Sequence, residues 1–387
     1  MVRSIALIAF LVGFVILTSQ GIAQQQEGGV IVYIGTQASP KSQGIYMTRM
    51  DPKTGALSQP ELAVEAKNPN FVAFHPSYKF LYACAEITDA AGAKSGGVAS
   101  FAIDATTGKL TPLNQQLSGG KGPCFVAVDK AGKNVLVANY GSGSIACMPI
   151  DADGKVKAPS SFIQHEGKSV NPKRQEGPHA HSINLDTANR FAFAADLGLD
   201  KVMIYKFDGE KGTLTPNDPA FAEVTPGGGP RHLAWHPSGK FAYVNDEMGD
   251  AVNAFAYDAA KGSLTSLQVV SSIPKDYAGA DDNTTSEVVV HPSGKFLYVS
   301  NRGHDSIANY AIGDDGKLTP RGFTPTQGQV PRNFAIAPGG EFLLAANQKT
   351  DSIVVFKIDQ STGDLTPTGS KIETPVPICI RFLPPTK

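Results

Sequence analysis

The stretch FLYVSNRGHDSIANYAIGDDGKL, residues Phe296 to Leu318, holds two short apolar strands separated by a polar pair, then an Asp, a turn and a Gly-x-Leu. The same order of features returns in FAYVNDEMGDAVNAFAYDAAKGSL (Phe241 to Leu264) and in FLLAANQKTDSIVVFKIDQSTGDL (Phe342 to Leu365). Weaker copies extend the pattern along the rest of the chain, at spacings of about 50 residues. A repeat of this length with several short strands is typical of a β-propeller, in which each unit packs against its neighbours.

Alignment of the copies defines the blade. The centres of the aligned strands are Tyr33, Tyr82, Leu136, Phe193, Tyr243, Tyr298 and Leu344. The residue three positions further is mostly Asn or Asp, which favours the turn that ends the strand. A glycine recurs in the second turn, where a tight hairpin needs a positive φ. Because a small apolar run also precedes each aligned strand but the first, we predict an all-β, seven-bladed β-propeller with four-stranded blades.

The two ends of the chain predict how the ring closes. Val30 to Thr36 is an aligned strand with no inner strand before it, and Ile378 to Phe382 is an inner strand with nothing after it. Pairing of these N- and C-terminal strands completes one blade and leaves no free edge. Residues 30–387 are therefore predicted to form a single propeller domain.

The first 23 residues have the pattern of a secretory signal peptide. Arg3 supplies the positive charge, Ile5 to Leu17 the apolar region, and Gly21-Ile22-Ala23 a small-residue cleavage site. The apolar run is too short to cross a bilayer comfortably. Residues 24–29 would then be a short polar linker. We expect a periplasmic or secreted protein, with no membrane contact after cleavage.

The charge composition of the chain limits the kinds of molecule that it is expected to bind. The net charge is −1, and neither a basic block nor an acidic tail is present, so no nucleic-acid partner is predicted. The four cysteines show neither a CxxC motif nor the spacing of metal ligands. We expect them to be small buried residues of inner strands. Whether they form disulfides, and with which partners, stays open. These cysteines are Cys84, Cys124, Cys147 and Cys379.

The histidines fall into two groups, a possible metal-binding pair and a set at a recurring position of the repeat. His179 and His181 resemble a chelating His-x-His pair, but no further ligands are evident, so neither a metal nor another cofactor is predicted. His75, His236 and His291 each precede Pro at a repeat position. Because they recur at a structural position, we predict that these three form hydrogen bonds at blade turns and take no part in catalysis.

The site is predicted from positions that correspond between blades but differ in residue type. The inner strands start at Asn70, Cys124, His181, Arg231, Ser286, Arg332 and Ile378. Four positions beyond the strand centres stand Gln37, Glu86, Tyr140, Leu197, Glu247, Arg302 and Gln348. Both sets are expected at one end of the central channel. Clustered arginines there would bind a carboxylate or phosphate, and His181 could exchange a proton near neutral pH.

From this register we predict two groups of site residues. The catalytic candidates are His181, Arg231, Glu247 and Arg302. The substrate-binding candidates are Arg332, His179, Glu86 and Asn70. The run Gly227–Gly229 is not followed by a helix, so it is read as a loop that presents Arg231 rather than as a phosphate cradle.

Three segments resemble a known family, the seven-bladed lactonase propellers, which includes propeller-type 6-phosphogluconolactonases and fungal carboxy-muconate cyclases. They are GPHAHS (Gly177 to Ser182), PRHLAWHPSGKFAYVNDE (Pro230 to Glu247) and HPSGKFLYVSNRGHDSI (His291 to Ile307). The resemblance covers nearly the whole mature chain. It implies a metal-independent site of one His, one Glu and two Arg. These fall on His181, Glu247, Arg231 and Arg302, whereas Arg332 rests on register alone.

The predicted function is hydrolysis of a small anionic sugar or sugar-acid lactone by a monomeric, 6-phosphogluconolactonase-like enzyme. Arg231 and Arg302 would hold the anionic end and stabilise the oxyanion, and either His181 or Glu247 would activate water. The identity of the lactone, and whether it is phosphorylated, stays open. The alternatives are a carboxy-muconate-type cycloisomerase, a non-catalytic binding propeller, and a calcium-dependent lactonase.

Overall fold

A ring of seven four-stranded antiparallel sheets makes up the computed structural model, which describes residues 29–384 apart from 89–91 and 93. The predicted signal peptide lies outside the described residues, as does all of the predicted linker except Gly29. Within these described ranges, no helix has the length and apolar character needed to cross a membrane.

The strands are numbered in chain order, and each blade is given from its innermost to its outermost strand. Blade 1 is β28 (Pro377–Phe382), β1 (Val30–Thr36), β2 (Gly44–Met50) and β3 (Glu61–Glu65). Blade 2 is β4 (Val72–Phe74), β5 (Phe80–Thr88), β6 (Lys94–Ile103) and β7 (Leu110–Leu117). Blade 3 is β8 (Pro123–Val128), β9 (Asn134–Asn139), β10 (Ser144–Pro149) and β11 (Ser161–Gln164).

The remaining blades follow the same plan. Blade 4 is β12 (Ala180–Leu185), β13 (Phe191–Asp196), β14 (Lys201–Asp208) and β15 (Thr213–Glu223). Blade 5 is β16 (Pro230–Trp235), β17 (Phe241–Asp246), β18 (Ala251–Asp258) and β19 (Ser263–Ser271). Blade 6 is β20 (Thr284–Val290), β21 (Phe296–Arg302), β22 (Ser306–Ile312) and β23 (Leu318–Pro325), preceded by a 3₁₀ turn at Ala280–Asp282. Blade 7 is β24 (Pro331–Ile336), β25 (Phe342–Asn347), β26 (Ser352–Ile358) and β27 (Leu365–Glu373).

Ring closure is made by the two ends of the chain. Strand β28 pairs antiparallel with β1, with Ile34 opposite Ile380 and Val32 opposite Phe382. The last strand of the chain is therefore the innermost strand of the first blade. This confirms the predicted fold, its seven blades and its closure by terminal strands.

The second strand of each blade forms the core between neighbouring sheets. Every residue of β9, β13 and β25 is buried. Because a blade packs on another blade at both faces, these strands are buried on both faces, and their polar residues stand only at the strand ends, as Asn139 and Asp196 do. The cysteines are all free; Cys124 and Cys379 lie on innermost strands as expected, but Cys84 and Cys147 lie on a second and a third strand.

The tyrosines and glycines that recur in the repeat form hydrogen bonds between neighbouring blades. In four blades the tyrosine at the strand centre donates its hydroxyl to a turn glycine carbonyl of the following blade. The pairs are Tyr33–Gly108 (2.6 Å), Tyr82–Gly154 (3.0 Å), Tyr243–Gly316 (3.0 Å) and Tyr298–Gly363 (2.7 Å). Gly316 has a φ of 78°, and a Cβ at this position would lie 2.4 Å from the Phe241 ring. The repeat therefore requires glycine here for both its backbone conformation and its contact.

The histidines that precede proline form a second set of links between blades. Their Nε2 atoms contact glycine carbonyls of the next blade, in the pairs His75–Gly132 (3.0 Å), His236–Gly294 (2.9 Å) and His291–Gly340 (2.8 Å). The Nδ1 atom of each ring accepts a backbone N–H two residues on, so Nε2 carries the proton and donates. The predicted hydrogen-bonding role of these histidines is confirmed.

Substitution of Tyr243 by Phe tests the tyrosine link. We expect Tyr243→Phe to lower the free energy of unfolding by about 1 kcal/mol, because the buried Gly316 carbonyl loses its donor. Tyr78→Phe is the control, since the Tyr78 ring is 41% exposed. Denaturant unfolding of both variants measures the difference. Equal stability of the two variants would show that the Tyr243 hydroxyl contributes nothing.

Candidate active site

The starts of the inner strands converge on a cavity of about 80 Å³ at one end of the channel. Six of the seven predicted inner-strand starts line it, with Ser286 as the exception. The lining residues are Gln37, Asn68, Asn70, Phe71, Cys124, His181, Arg231, His232, Arg332 and Ile378. The repeat register thus located the mouth of the channel from the sequence.

The carboxylate of Glu247, which directly follows β17, is surrounded by cations. Its Oε2 lies 3.0 Å from Nε of Arg231 and 3.2 Å from Nη2 of Arg302. Its Oε1 accepts a hydrogen bond of 2.8 Å from Nη2 of Arg174. Burial alone would raise the pKa of Glu247, but Arg302 and Arg231 together hold it well below its usual value. This carboxylate is therefore ionised at neutral pH.

His181, on β12, lies beside this carboxylate and is neutral. Its Nε2 is 3.6 Å from Oε2 of Glu247, and its Nδ1 is 3.6 Å from Sγ of Cys124. Burial, followed by the charge of Arg231, lowers the pKa of His181 well below 6.5. Burial also raises the pKa of the Cys124 thiol to about 12. A neutral imidazole and a protonated thiol therefore share this side of the cavity.

Arg231 is held from behind by a buried histidine and glutamate. Its Nη1 donates to the Ser286 carbonyl at 2.7 Å and to Nε2 of His232 at 2.9 Å. Because Nε2 accepts, Nδ1 of His232 carries the proton and donates to Glu287 at 2.7 Å. Burial lowers the pKa of His232 to about 4, so the ring stays neutral. The guanidinium of Arg231 is thus fixed in orientation on both sides.

Arg332 faces the same cavity with no counter-charge. Among the described residues, its guanidinium has no hydrogen-bond or ion-pair partner. Burial and the charges of Arg231 and Arg302 lower its pKa to about 9, which still leaves it charged at neutral pH. Asn70 lines the cavity beside it, with its buried Oδ1 also unpartnered. These two groups are available to a bound molecule.

The structure brings the four predicted catalytic residues together and places the others in different ways. Arg332 and Asn70 line the cavity. His179 lies next to it, where its ring stacks on Tyr140 at a centroid distance of 4.7 Å. Its Nδ1 lies 3.0 Å from the Tyr140 carbonyl oxygen.

Glu86 is not brought to the cavity. It lies beside a separate surface recess of about 530 Å³, which Gln43, Glu65 and Gln115 also line. Strand β5 continues to Thr88, two residues beyond Glu86, whereas the second strands of the other blades end at or before this position. This extension pairs Glu86 with Gly96 of β6 and holds it within the sheet.

Two kinds of site residue were missed from the sequence. Arg174 lies between β11 and β12, in a long connection with no counterpart in the repeat, so register carries no signal for it. His232 and Glu287 do carry a signal. They occupy the position that directly follows the strand start, where two other copies have Phe71 and Phe125. A second comparison across the copies would have identified this polar pair.

Among the residues that the structure describes, no three of His, Cys, Asp and Glu are grouped so as to hold a metal ion. The arginines, His181 and Glu247 can together bind an anion, stabilise a developing negative charge and move a proton.

Fold and site together define a propeller enzyme with an arginine-rich channel mouth. A family model described as "Lactonase, 7-bladed beta-propeller" matches residues 31–382, and the chain belongs to this lactonase family. It is 40% identical over 354 residues to a 6-phosphogluconolactonase of Bacillus subtilis, an alignment that covers 91% of this chain and 98% of that protein. The predicted resemblance and the lactonase class are thus confirmed.

Two further proteins that resemble this chain are also named as lactonases. A 6-phosphogluconolactonase of Formosa agariphila is 33% identical over 339 residues, covering 86% of this chain and 94% of that protein. The solved structure of a periplasmic gluconolactonase of Pseudomonas aeruginosa has a TM-score of 0.85 and 31% identity, covering 91% of this chain and 98% of that chain.

Neutralisation of Glu247 tests the central ion cluster. We expect Glu247→Gln to lower the free energy of unfolding at pH 7 by about 3–5 kcal/mol, because buried guanidinium groups lose their counter-charge. The native pKa of Glu247 lies below its ordinary 4.5, so its contribution is present above pH 4.5 and is lost as the pH falls below it. The variant should therefore also lose stability less steeply in acid.

Denaturant unfolding between neutral and acid pH measures both effects. Glu210→Gln is the matched control, because the side chain of Glu210 is 80% exposed and pairs with Lys133 at the surface. Wild-type stability and acid dependence in Glu247→Gln would contradict the charge assignment.

Proposed function

We propose that the protein hydrolyses a sugar or sugar-acid lactone without a metal, at the cavity formed by His181, Arg231 and Arg332. The observation that carries the proposal is a neutral buried imidazole placed between an ionised carboxylate and several guanidinium groups. Ring opening of a lactone needs a proton acceptor for water and positive charge for the oxyanion. The names of the relatives, 6-phosphogluconolactonase and gluconolactonase, support the same reaction class.

In the proposed step, His181 takes a proton from water while the water oxygen bonds to the lactone carbonyl carbon. The carbonyl oxygen becomes an oxyanion, which Arg231 stabilises from the cavity wall. The ring C–O bond then breaks, and His181 returns its proton to the leaving alkoxide. The product is the open-chain hydroxy acid. Each bond made or broken is accounted for by substrate, water and one imidazole.

Of the two candidate bases, the geometry favours His181 over Glu247. Both oxygens of Glu247 are occupied by guanidinium groups, and its low pKa makes it a poor proton acceptor. His181 is neutral, so it is in the protonation state that a base requires. Glu247 and Arg302 then hold the arrangement of charges, and Glu247 also faces the imidazole edge.

An anionic substrate suits the unpaired charge of Arg332. A carboxylate or phosphate would supply the partner that this buried guanidinium lacks. We further propose that the processed chain acts as a monomer in the periplasm or outside the cell. The N-terminal signal pattern and the periplasmic gluconolactonase relative support this location.

Removal of the His181 imidazole tests the base. We expect His181→Gln to lower kcat for lactone opening by about 10²–10⁴-fold, the usual contribution of general base catalysis. In the wild type, kcat/KM should stay level through pH 6.5 and decline only at lower pH, because the native pKa of His181 lies below 6.5. Glucono-δ-lactone and its 6-phosphate in a pH-stat are suitable substrates, with the uncatalysed rate subtracted.

The control for this experiment is His75→Gln. His75 bonds the Gly132 carbonyl far from the cavity, so its loss should reduce stability and leave kcat unchanged. Equal kcat in wild type and His181→Gln, or an acid limb centred above pH 6.5, would remove His181 from the mechanism.

Loss of the Arg332 charge tests substrate recognition. We expect Arg332→Gln to reduce kcat/KM by at least about tenfold, since a hydrogen bond to a charged group contributes 1.5–3 kcal/mol. Arg332→Lys should retain part of the activity because it keeps the charge but loses the forked donor geometry. Arg321→Gln, at an exposed position on β23, is the control. Identical kinetics of Arg332→Gln and Arg321→Gln would exclude Arg332 from the site.

A further inference from the structure

Four blades share an aspartate in the turn between their second and third strands. Asp200, Asp250, Asp305 and Asp351 have φ values of 54°, 47°, 52° and 49°. This is the left-handed region, which Asp and Asn tolerate better than other residues with a side chain. At Asp351, Oδ1 accepts the backbone N–H of Val376, which precedes the next inner strand. The aspartate thus attaches the connection between blades to a turn.

The Asp200 carboxylate accepts four hydrogen bonds, whereas that of Asp351 accepts only those of the Val376 N–H and the exposed Lys41 ammonium among the described residues. Its Oδ1 accepts from Nε2 of Gln175 at 2.7 Å and from the N–H of Gly229 at 2.8 Å. Its Oδ2 accepts from Oγ of Ser169 at 2.5 Å and from the N–H of Gly227 at 2.7 Å. Four donors, two from each of two loops, converge on one carboxylate that is only 5% exposed.

Each of the two loops that Asp200 joins contains or directly precedes an arginine that contacts Glu247. Gln175 directly follows Arg174, whose Nη2 bonds Oε1 of Glu247 at 2.8 Å. Gly229 comes two residues before Arg231, whose Nε lies 3.0 Å from Oε2 of the same carboxylate. One oxygen of Glu247 therefore receives Arg174 from the first loop, the other receives Arg231 from the strand that follows the second loop, and Asp200 connects the two loops directly.

Asp200 contacts both loops directly, and Gln175 Nε2 also ties the Arg174 loop to the same turn by donating to the Leu197 carbonyl at 2.9 Å. The Arg174 loop has internal bonds, from Gln175 N–H to the Asn171 carbonyl and from Ser169 N–H to the Gln175 carbonyl. These bonds hold the shape of the loop but do not set its distance from the glycine-rich loop. In the glycine-rich loop, Gly227 and Gly229 have positive φ values of 86° and 68°, so its backbone samples conformations that other residues avoid.

We propose that Asp200 is a positioning residue of the active site, which holds the Arg174 loop and the glycine-rich loop in the arrangement that brings both guanidinium groups onto Glu247. The proposal rests on the lactonase function proposed above for its kinetic readout. It also makes Arg174 a functional member of the site, although the repeat register does not include it.

Asp200→Asn keeps the size and the left-handed backbone preference of the residue but replaces one acceptor oxygen with a donor group. We expect kcat/KM for lactone opening to fall at least about tenfold, because a shift of about 1 Å in a positioned group can cost two orders of magnitude. The matched control is Asp351→Asn, which changes the same turn position of blade 7, away from Arg174 and Arg231. It should lower the melting temperature without that loss of activity.

A double-mutant cycle separates positioning from general loss of stability. If Asp200 acts through the Arg174 loop, Asp200→Asn should reduce kcat/KM less in an Arg174→Ala background than in the wild type. Asp351→Asn combined with Arg174→Ala should be additive. Additive effects of Asp200→Asn and Arg174→Ala, or equal kinetic losses in Asp200→Asn and Asp351→Asn, would overturn the proposal.

Hydrogen exchange gives a readout that does not depend on lactone hydrolysis. Asp200→Asn should speed amide exchange at Gly227 and Gly229 and leave the amide of Val376 unchanged, whereas Asp351→Asn should do the reverse. Unchanged protection of Gly227 and Gly229 would contradict the clamp even if activity fell. Conversely, an absence of lactonase activity in the wild-type protein would refute the proposed function while this exchange pattern still tested the clamp.

Discussion

The ion cluster around Glu247 is the interaction on which the active-site arrangement depends. Burial of Arg231 and Arg302 at the narrow end of a propeller channel would be costly without a nearby negative charge. One carboxylate supplies that charge to both, and its second oxygen holds Arg174 from outside the repeat. Three cations are therefore held to a single carboxylate. The remaining guanidinium, Arg332, lies beyond its hydrogen-bonding reach and keeps an unbalanced charge inside the cavity.

The fold combines regular contacts between blades with variable residues at the channel mouth, and most of the cluster forms from those variable residues. Hydroxyls such as that of Tyr298 and imidazoles such as that of His291 bond glycine carbonyls of the following blade, far from the channel mouth. Because these contacts fix the blades to one another, the inner strands start at equivalent points around the axis. Residues at the starts of the inner strands do not make these contacts between blades, so they can differ from blade to blade. That freedom allows Arg231 and His181 to occupy positions where another blade has Ile378.

Most of the fold and part of the site could be read from the sequence because both follow from the repeat. Periodicity predicted seven blades and terminal closure, and the start of each inner strand predicted most of the cavity wall. Register failed where a blade departs from the average: β5 is longer than its counterparts, so Glu86 lies elsewhere, and Arg174 comes from a connection that has no counterpart. Protonation states were also beyond the sequence, since the neutrality of His181 depends on burial and on the position of Arg231 in space.

The same positive charges have opposite chemical consequences for the two neighbouring titratable groups. Arginines lower the pKa of Glu247, which fixes it as an anion, and burial together with Arg231 lowers the pKa of His181, which leaves it neutral. A base with a low pKa accepts a proton from water reluctantly, but once protonated it is a strong acid. Lactone opening needs both properties in sequence, because the alkoxide that leaves the tetrahedral intermediate must be protonated. In the proposed mechanism, the cationic environment of His181 weakens the first proton transfer and assists the second, while the adjacent carboxylate of Glu247 limits the cost of the transient imidazolium.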